Sequence, residues 1–182
     1  LKFAGENGVS AYGIIMYTSF IFAAVFIGYA IGVAPIISYN YGAKNYAELK
    51  NVYKKSMILN SVTGLIMAVL SIALSRVLAS IFVSYDAELL KMTTTAMRIY
   101  SVSFAFMGVN IFISAFFTAL NNGLISAAVS FARTLIFQTM SVLLLPMAFG
   151  LNGVWSAIIV AEGLALALGI IFLITNRKKY RY

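Results

Sequence analysis

An uncharged segment near the start of the chain restricts the possible folds more than any other feature. From residue 9 to residue 39 there is no Lys, Arg, Asp or Glu. A helix of this length would rise about 45 Å at about 1.5 Å per residue. The hydrocarbon core of a bilayer is about 30 Å thick, so the helix can cross it with tilt or overhang. The segment therefore predicts an integral membrane protein that has the lipid bilayer as a partner.

The composition supports this prediction and excludes several other classes of protein. The chain is 62% hydrophobic and 10% charged, whereas soluble domains carry about 25% charged residues. Its net charge of +8 resides in loops between apolar runs, which is typical of membrane topology and excludes nucleic acid as a partner. The chain has no Cys and no His, so it cannot use thiol or imidazole chemistry. We predict neither an enzyme nor a metal site, and no cofactor.

Four polar breaks divide the sequence into five apolar spans. The breaks are a basic interfacial loop at 40–55, a charged loop at 83–91 and turns rich in Asn and Gly at 121–123 and 150–153. Residues 1–8 read as a polar turn ahead of the first span. The fold class predicted is an all-α polytopic transmembrane helix bundle over residues 1–182. Its spans are expected at about 9–39, 56–82, 92–120, 124–149 and 154–175. Because the chain begins with Leu, we interpret it as the carboxy-terminal piece of a longer protein.

The basic residues also predict an orientation. Lys and Arg are concentrated in the 40–55 loop and in the tail after residue 175. Fewer lie on the opposite side, where Lys2, Arg76, Lys91 and Arg98 are found. The positive-inside rule therefore places the loop and the tail in the cytoplasm.

Polar side chains recur at helical spacing in three of the spans. Asn60 belongs to such a stripe in the second span, Asn110 in the third and Gln138 in the fourth. If the three stripes converge, they line one aqueous cavity, and these residues are then candidates for a substrate or ion pathway. The alternative is that each stripe forms hydrogen bonds between helices, at about 0.6 kcal/mol per pair.

Glu162 is the one acid that lies deep inside a predicted span. A charge near the middle of the bilayer costs about 2.5 to 3.5 kcal/mol on insertion scales, and a proton, a partner or water usually offsets it. Glu162 is therefore a candidate for a protonatable or cation-binding carboxylate. The alternative is a structural ion pair with Arg133, which requires that the fourth and fifth spans pack together.

Small residues mark one face of the first span. Gly28, Gly32 and Pro35 recur at helical spacing, so they share a side of the helix. The G-x-x-x-G step allows another helix to approach closely, and the proline removes a backbone donor. This face is predicted to serve either in helix packing or as a hinge.

Three segments resemble the carboxy-terminal half of the multidrug and toxic compound extrusion (MATE) family: GYAIGVAPIISYNYGAKN, AFFTALNNGLISAAVSFART and FGLNGVWSAIIVAE. The resemblance implies the last five helices of one six-helix lobe, with the amino-terminal lobe of the protein missing. It also implies a bacterial plasma-membrane antiporter that exports cationic amphiphilic drugs or metabolites in exchange for H+ or Na+.

One departure from the family pattern concerns ion coupling. Some members carry a carboxylate in the helix that matches the third span, near Gly108 to Asn110, and this sequence has none there. Two alternative functions remain open at this point. One is a flippase for lipid-linked oligosaccharides from the same superfamily, and the other is a membrane scaffold that transports nothing.

Overall fold

The computed structural model describes residues 5–182, which form helices and short connections without any strand. Regular α-helices are α1 (Gly5–Gly42), α2 (Tyr46–Ala73), α3 (Ser75–Phe82), α4 (Ala87–Tyr100), α5 (Phe104–Ala119), α6 (Gly123–Phe131) and α7 (Gln138–Tyr180). A 3₁₀ turn, Ser101–Ser103, joins α4 to α5, and a π-helical segment, Ala132–Phe137, joins α6 to α7. The predicted all-α class is confirmed.

Asn and Asp side chains set the start of three helices. Asn45 accepts a hydrogen bond from the Glu48 N–H at 3.3 Å and so caps α2. Asp86 caps α4 in the same way, and Asn122 caps α6. Each cap satisfies a backbone donor that the first turn of a helix leaves free.

Four helical segments of the described chain are long and apolar enough to cross a membrane: Gly5–Gly42, Tyr46–Ala73, Ala87–Ala119 and Gly123–Tyr180. The last is 58 residues long, and it reverses direction at Gly150, whose φ of 56° and ψ of −134° are not helical. A Cβ placed on Gly153 would lie 2.3 Å from the Leu145 carbonyl oxygen, which shows that the chain folds back beside itself. This helical hairpin supplies the predicted fourth and fifth spans.

Two predicted connections are wrong because the residues are helical. Most of the predicted 40–55 loop belongs to α1 or α2, since the Asn45 cap starts α2 early. The first turns of α2 bury Leu49 and leave Lys50 and Lys54 exposed, a pattern that average hydropathy does not detect. At the other end, Gly5 already begins α1, so the described part of the predicted 1–8 turn is helical as well.

The third span occupies the centre of the bundle. In its most apolar stretch 61% of the residues are buried, compared with 22% to 33% in the other three membrane-length segments. Within it, α5 packs against α1, α2, α6 and α7. Its Phe104, Phe112, Phe116 and Phe117 are buried in two apolar clusters, so they serve in packing and not as a cavity wall. Helix α5 therefore places its polar residues between the helices on either side of it.

Candidate functional site

The Glu162 carboxylate lies at the meeting point of three helical segments. Arg133 donates to Oε1 of Glu162 from Nε at 2.9 Å and from Nη2 at 2.7 Å. On the other side, Nδ2 of Asn110 donates to Oε2 at 2.6 Å and to the Glu162 backbone carbonyl at 3.0 Å. Glu162 is only 2% exposed. The three residues are called the Glu162 cluster below.

Both carboxylate oxygens of Glu162 thus have a donor, while one polar atom of the cluster has none. Oδ1 of Asn110 is buried and has no hydrogen-bond partner among the described residues. A buried acceptor without a donor is unfavourable by about 1 to 3 kcal/mol. A proton donor, a water molecule or a cation near this oxygen would remove that penalty, which is one reason to consider the cluster as a binding site.

Local backbone structure brings Arg133 and Glu162 together. The hairpin turn at Gly150 folds the 151–180 part of α7 back along the 123–149 segment. Arg133 lies in the π-helical segment Ala132–Phe137, which inserts an extra residue per turn and changes the direction of the side chains. Such π-helical turns are frequent at functional sites. The ion pair that sequence analysis gave as an alternative for Glu162 is therefore present.

A groove of about 370 Å³ opens beside the cluster between α1, α5 and α6. It is lined by Ile27, Ala30, Ile31, Ala34, Ile111, Ser114, Ala115, Thr118, Ser130 and Arg133. Most of its wall is apolar, and a hydroxyl network centred on Ser114 forms the polar part. Ser114 lies 2.9 Å from Oγ of Ser126 and 2.7 Å from Oγ of Ser130.

Arg133 connects the groove to the buried carboxylate. Its side chain is 23% exposed, and it lines the groove while its guanidinium holds Glu162. Removing one partner of such a pair strands the other charge, at about 3 to 5 kcal/mol. The arrangement can therefore hold a neutral state, in which Arg133 and Glu162 compensate each other, and a charged state if a cation takes the place of Arg133.

Not all the predicted pathway residues reach this groove. Asn60 is buried, and its Nδ2 donates to the Ser56 carbonyl at 2.8 Å. The same α2 stripe packs Gly64 against Phe104 and bonds Ser71 to Ser101. The α2 stripe is therefore used in helix contacts, which is the alternative that sequence analysis gave for it.

Gln138 lines a separate pocket of about 280 Å³ nearer the Gly150 turn. Tyr12 and Tyr100 line this pocket too, and sequence analysis did not identify them. It also did not identify the α1 residues at the groove, although Ile27, Ile31 and Ala34 have helical spacing. Apolar spacing inside a fully apolar helix gives no sign of which side faces a cavity.

The small-residue face of α1 lies next to the groove and is open. Gly28, Gly32 and Pro35 are all exposed. No atom of the described chain comes within 4 Å of a Cβ built on Gly28 or Gly32, so neither glycine supports a close helix contact within residues 5–182. The predicted role of this face, in helix packing or as a hinge, therefore stays a prediction, and it requires a contact with a helix outside residues 5–182.

Comparison with known proteins agrees with this architecture. The MatE family model matches residues 1–144. A search of curated protein sequences gave no significant match. Two solved structures show the fold. One is an outward-facing multidrug resistance MATE family transporter of the MOP superfamily, with TM-score 0.91 and 20% identity over 98% of this chain. The other is the Vibrio cholerae MATE transporter VcmN in a bent form, with TM-score 0.89 and 16% identity over 97% of this chain.

The chain spans 40% of the length of each of these two structures. An inward-facing MATE family transporter matches with a lower TM-score of 0.82, over 94% of this chain, at 20% identity. The family model covers most of the sequence, and the structures agree with it in fold. The chain therefore belongs to the MatE family, and it has the fold of part of a MATE transporter.

Proposed function

We propose that the chain is part of a cation-coupled antiporter that exports cationic amphiphilic compounds, with H+ or Na+ as the coupling ion. The observation that carries the proposal is the Arg133–Glu162 pair, a buried carboxylate whose partner lines an open groove. In this proposal the rest of the protein supplies the amino-terminal lobe. The proposal also locates the complete transporter in a bacterial plasma membrane.

The geometry of the pair suggests how ion and substrate compete. With Arg133 bound to Glu162, the pair carries no net charge, and the apolar groove accepts a cationic amphiphile. A proton or Na+ on Glu162 displaces Arg133, whose positive charge then stands uncompensated at the groove. Two like charges about 4 Å apart repel by about 4 kcal/mol at an effective dielectric constant of about 20. Ion binding therefore expels the substrate, and by linkage substrate binding expels the ion.

The flippase alternative is less well supported by the groove. A lipid-linked oligosaccharide carries a diphosphate, which needs several basic residues to bind it. Arg133 is the only basic residue that lines this groove in the described chain, and Glu162 compensates its charge. The scaffold alternative predicts no transport at all.

Dye efflux from cells tests the proposed function. Cells that express the complete protein should extrude ethidium faster than cells with the empty vector, and a proton or sodium ionophore should abolish the difference. Ethidium is the appropriate probe because it is both cationic and amphiphilic. Unchanged accumulation at confirmed surface expression would contradict the export function.

Bulk on the exposed face of α1 should block transport without preventing folding. We expect Gly28→Leu/Gly32→Leu to abolish ethidium efflux, because the added side chains project from α1 away from every described helix and block approach of the other lobe. The matched control is Ile36→Leu, an exposed position on the same helix that already carries bulk. Normal efflux by the well-expressed double variant would exclude both packing and hinge roles for this face.

A further inference from the structure

A third cavity lies at the end of the bundle where α2 begins and α7 ends. Its volume is about 210 Å³, and it is called the α2–α7 pocket here. It is lined by Lys50, Tyr53, Lys54, Leu173, Ile174, Arg177 and Tyr182. The pocket lies at the carboxy-terminal end of α7, far from the Gly150 turn. It shares no lining residue with the groove.

The pocket carries three positive charges without a partner acid. Lys50 and Lys54 are one turn apart on α2, and Arg177 faces them from α7. The only ion pair within residues 5–182 is that between Arg133 and Glu162. Glu48, the acid closest in sequence, accepts hydrogen bonds from Asn51. The three cations therefore remain available for an anion.

Tyr182 gives the pocket an uncharged aromatic floor. Arg181 takes the left-handed conformation, with φ of 59°, so the chain turns back at the end of α7. The Tyr182 hydroxyl donates to the Leu173 carbonyl at 2.8 Å, and its ring centroid lies 4.8 Å from that of Tyr53. Burial raises the pKa of this hydroxyl above its usual range, so the phenol ring of Tyr182 stays neutral.

The remaining wall is apolar and open. Ile174 is 69% exposed and lies one turn before Arg177 on α7. An exposed apolar side chain near the end of a membrane-length helix is suited to contact an acyl chain of the bilayer. A phosphate group held by the cations would therefore have apolar surface directly beneath it, as a phospholipid does and a free phosphate ion does not.

We propose that the α2–α7 pocket is a binding site for the headgroup of an anionic phospholipid. The phosphate diester lies between Lys50, Lys54 and Arg177, and an acyl chain runs along Ile174. Basic pockets between membrane helices recognise such headgroups. The bound lipid links the start of α2 to the end of α7, the helix that carries Glu162. This inference does not depend on the proposed transport function.

Native mass spectrometry of the complete protein tests the site, with palmitoyl-oleoyl phosphatidylglycerol as the probe and the matching phosphatidylcholine as the reference lipid. Phosphatidylglycerol should bind at least about tenfold more tightly than phosphatidylcholine. The triple variant Lys50→Gln/Lys54→Gln/Arg177→Gln should lose this preference. The matched control Lys44→Gln/Lys55→Gln/Lys178→Gln removes the same charge from the same end of the bundle, outside the pocket, and should keep the preference.

Three results would overturn the proposal. These are equal binding of the two lipids to the unmodified protein, an equal loss of preference in the control variant, and full displacement of phosphatidylglycerol by inorganic phosphate. The last result would identify an anion site that ignores the lipid tail. If the triple variant fails to fold, Arg177→Gln and its neighbour control Lys178→Gln make the same comparison with one charge each.

Discussion

Glu162→Gln is expected to reduce ethidium efflux per folded molecule at least about tenfold, the largest effect that we predict for any side chain of the Glu162 cluster. The substitution keeps the shape of the side chain and removes the charge that a coupling ion needs. It also leaves Arg133 permanently uncompensated at the groove, which should repel a cationic substrate. Glu88→Gln is the matched control, because Glu88 is an exposed acid at the start of α4. Efflux by that variant should be unchanged.

A second substitution separates a transport role from a structural one. Glu162→Gln alone should lower yield and thermal stability, because a buried charge that loses its partner costs about 3 to 5 kcal/mol. Adding Arg133→Gln removes the stranded charge and should restore both properties. Under the proposed mechanism, the stable double variant still fails to couple efflux to an ion gradient. If ion-coupled efflux returns together with stability, the pair is structural only.

Gly153→Ala and Gly150→Ala are expected to give the largest losses of stability among glycine substitutions in the hairpin. A Cβ at Gly153 would lie 2.3 Å from the Leu145 carbonyl oxygen, and a backbone atom cannot move aside as a flexible side chain can. Overpacking of this kind costs about 1 to 3 kcal/mol. Gly150→Ala should cost a similar amount through strain, because its φ of 56° and ψ of −134° are favourable only for glycine.

The matched control for this turn is Gly123→Ala, at the exposed start of α6, since a Cβ there meets nothing within 4 Å. Thermal denaturation of the purified complete protein should show a lower midpoint temperature for Gly153→Ala and Gly150→Ala. The control should show no decrease in that midpoint. The turn also sets the alignment of Arg133 with Glu162. We therefore expect the two turn variants to lose efflux per folded molecule as well, and an unchanged midpoint in both would contradict this account of the turn.

The positions of the membrane-crossing segments could be predicted from the sequence because they depend on local properties. Long apolar runs identify them, and Gly150 to Gly153 mark the reversal between the last two. The ends were less predictable. Average hydropathy treats Lys50 and Lys54 as a loop, whereas the alternation of exposed lysines with buried Leu49 continues α2 to the Asn45 cap.

The site could be predicted only in part. Sequence analysis gave pairing with Arg133 as one of two alternatives for Glu162, and the structure contains that pair. The pairing could be anticipated because a short turn brings neighbouring spans together whatever their rotation. The contact of Asn110 with Glu162 depends on how α5 is rotated against α7, and packing of the whole bundle sets that rotation. For the same reason, sequence alone could not show that Asn60 faces a helix contact or that Gln138 lines a different pocket.

The central claim is that a coupling ion on Glu162 and a cationic substrate in the groove exclude each other. Its most direct test is equilibrium binding of ethidium to the purified complete protein, measured while the concentration of H+ or of Na+ is raised. We predict that one of the two ions weakens ethidium binding at least about tenfold in the unmodified protein, and that this dependence disappears in Glu162→Gln. Ethidium binding that ignores both ions, or an ion dependence that survives intact in Glu162→Gln, would contradict the account.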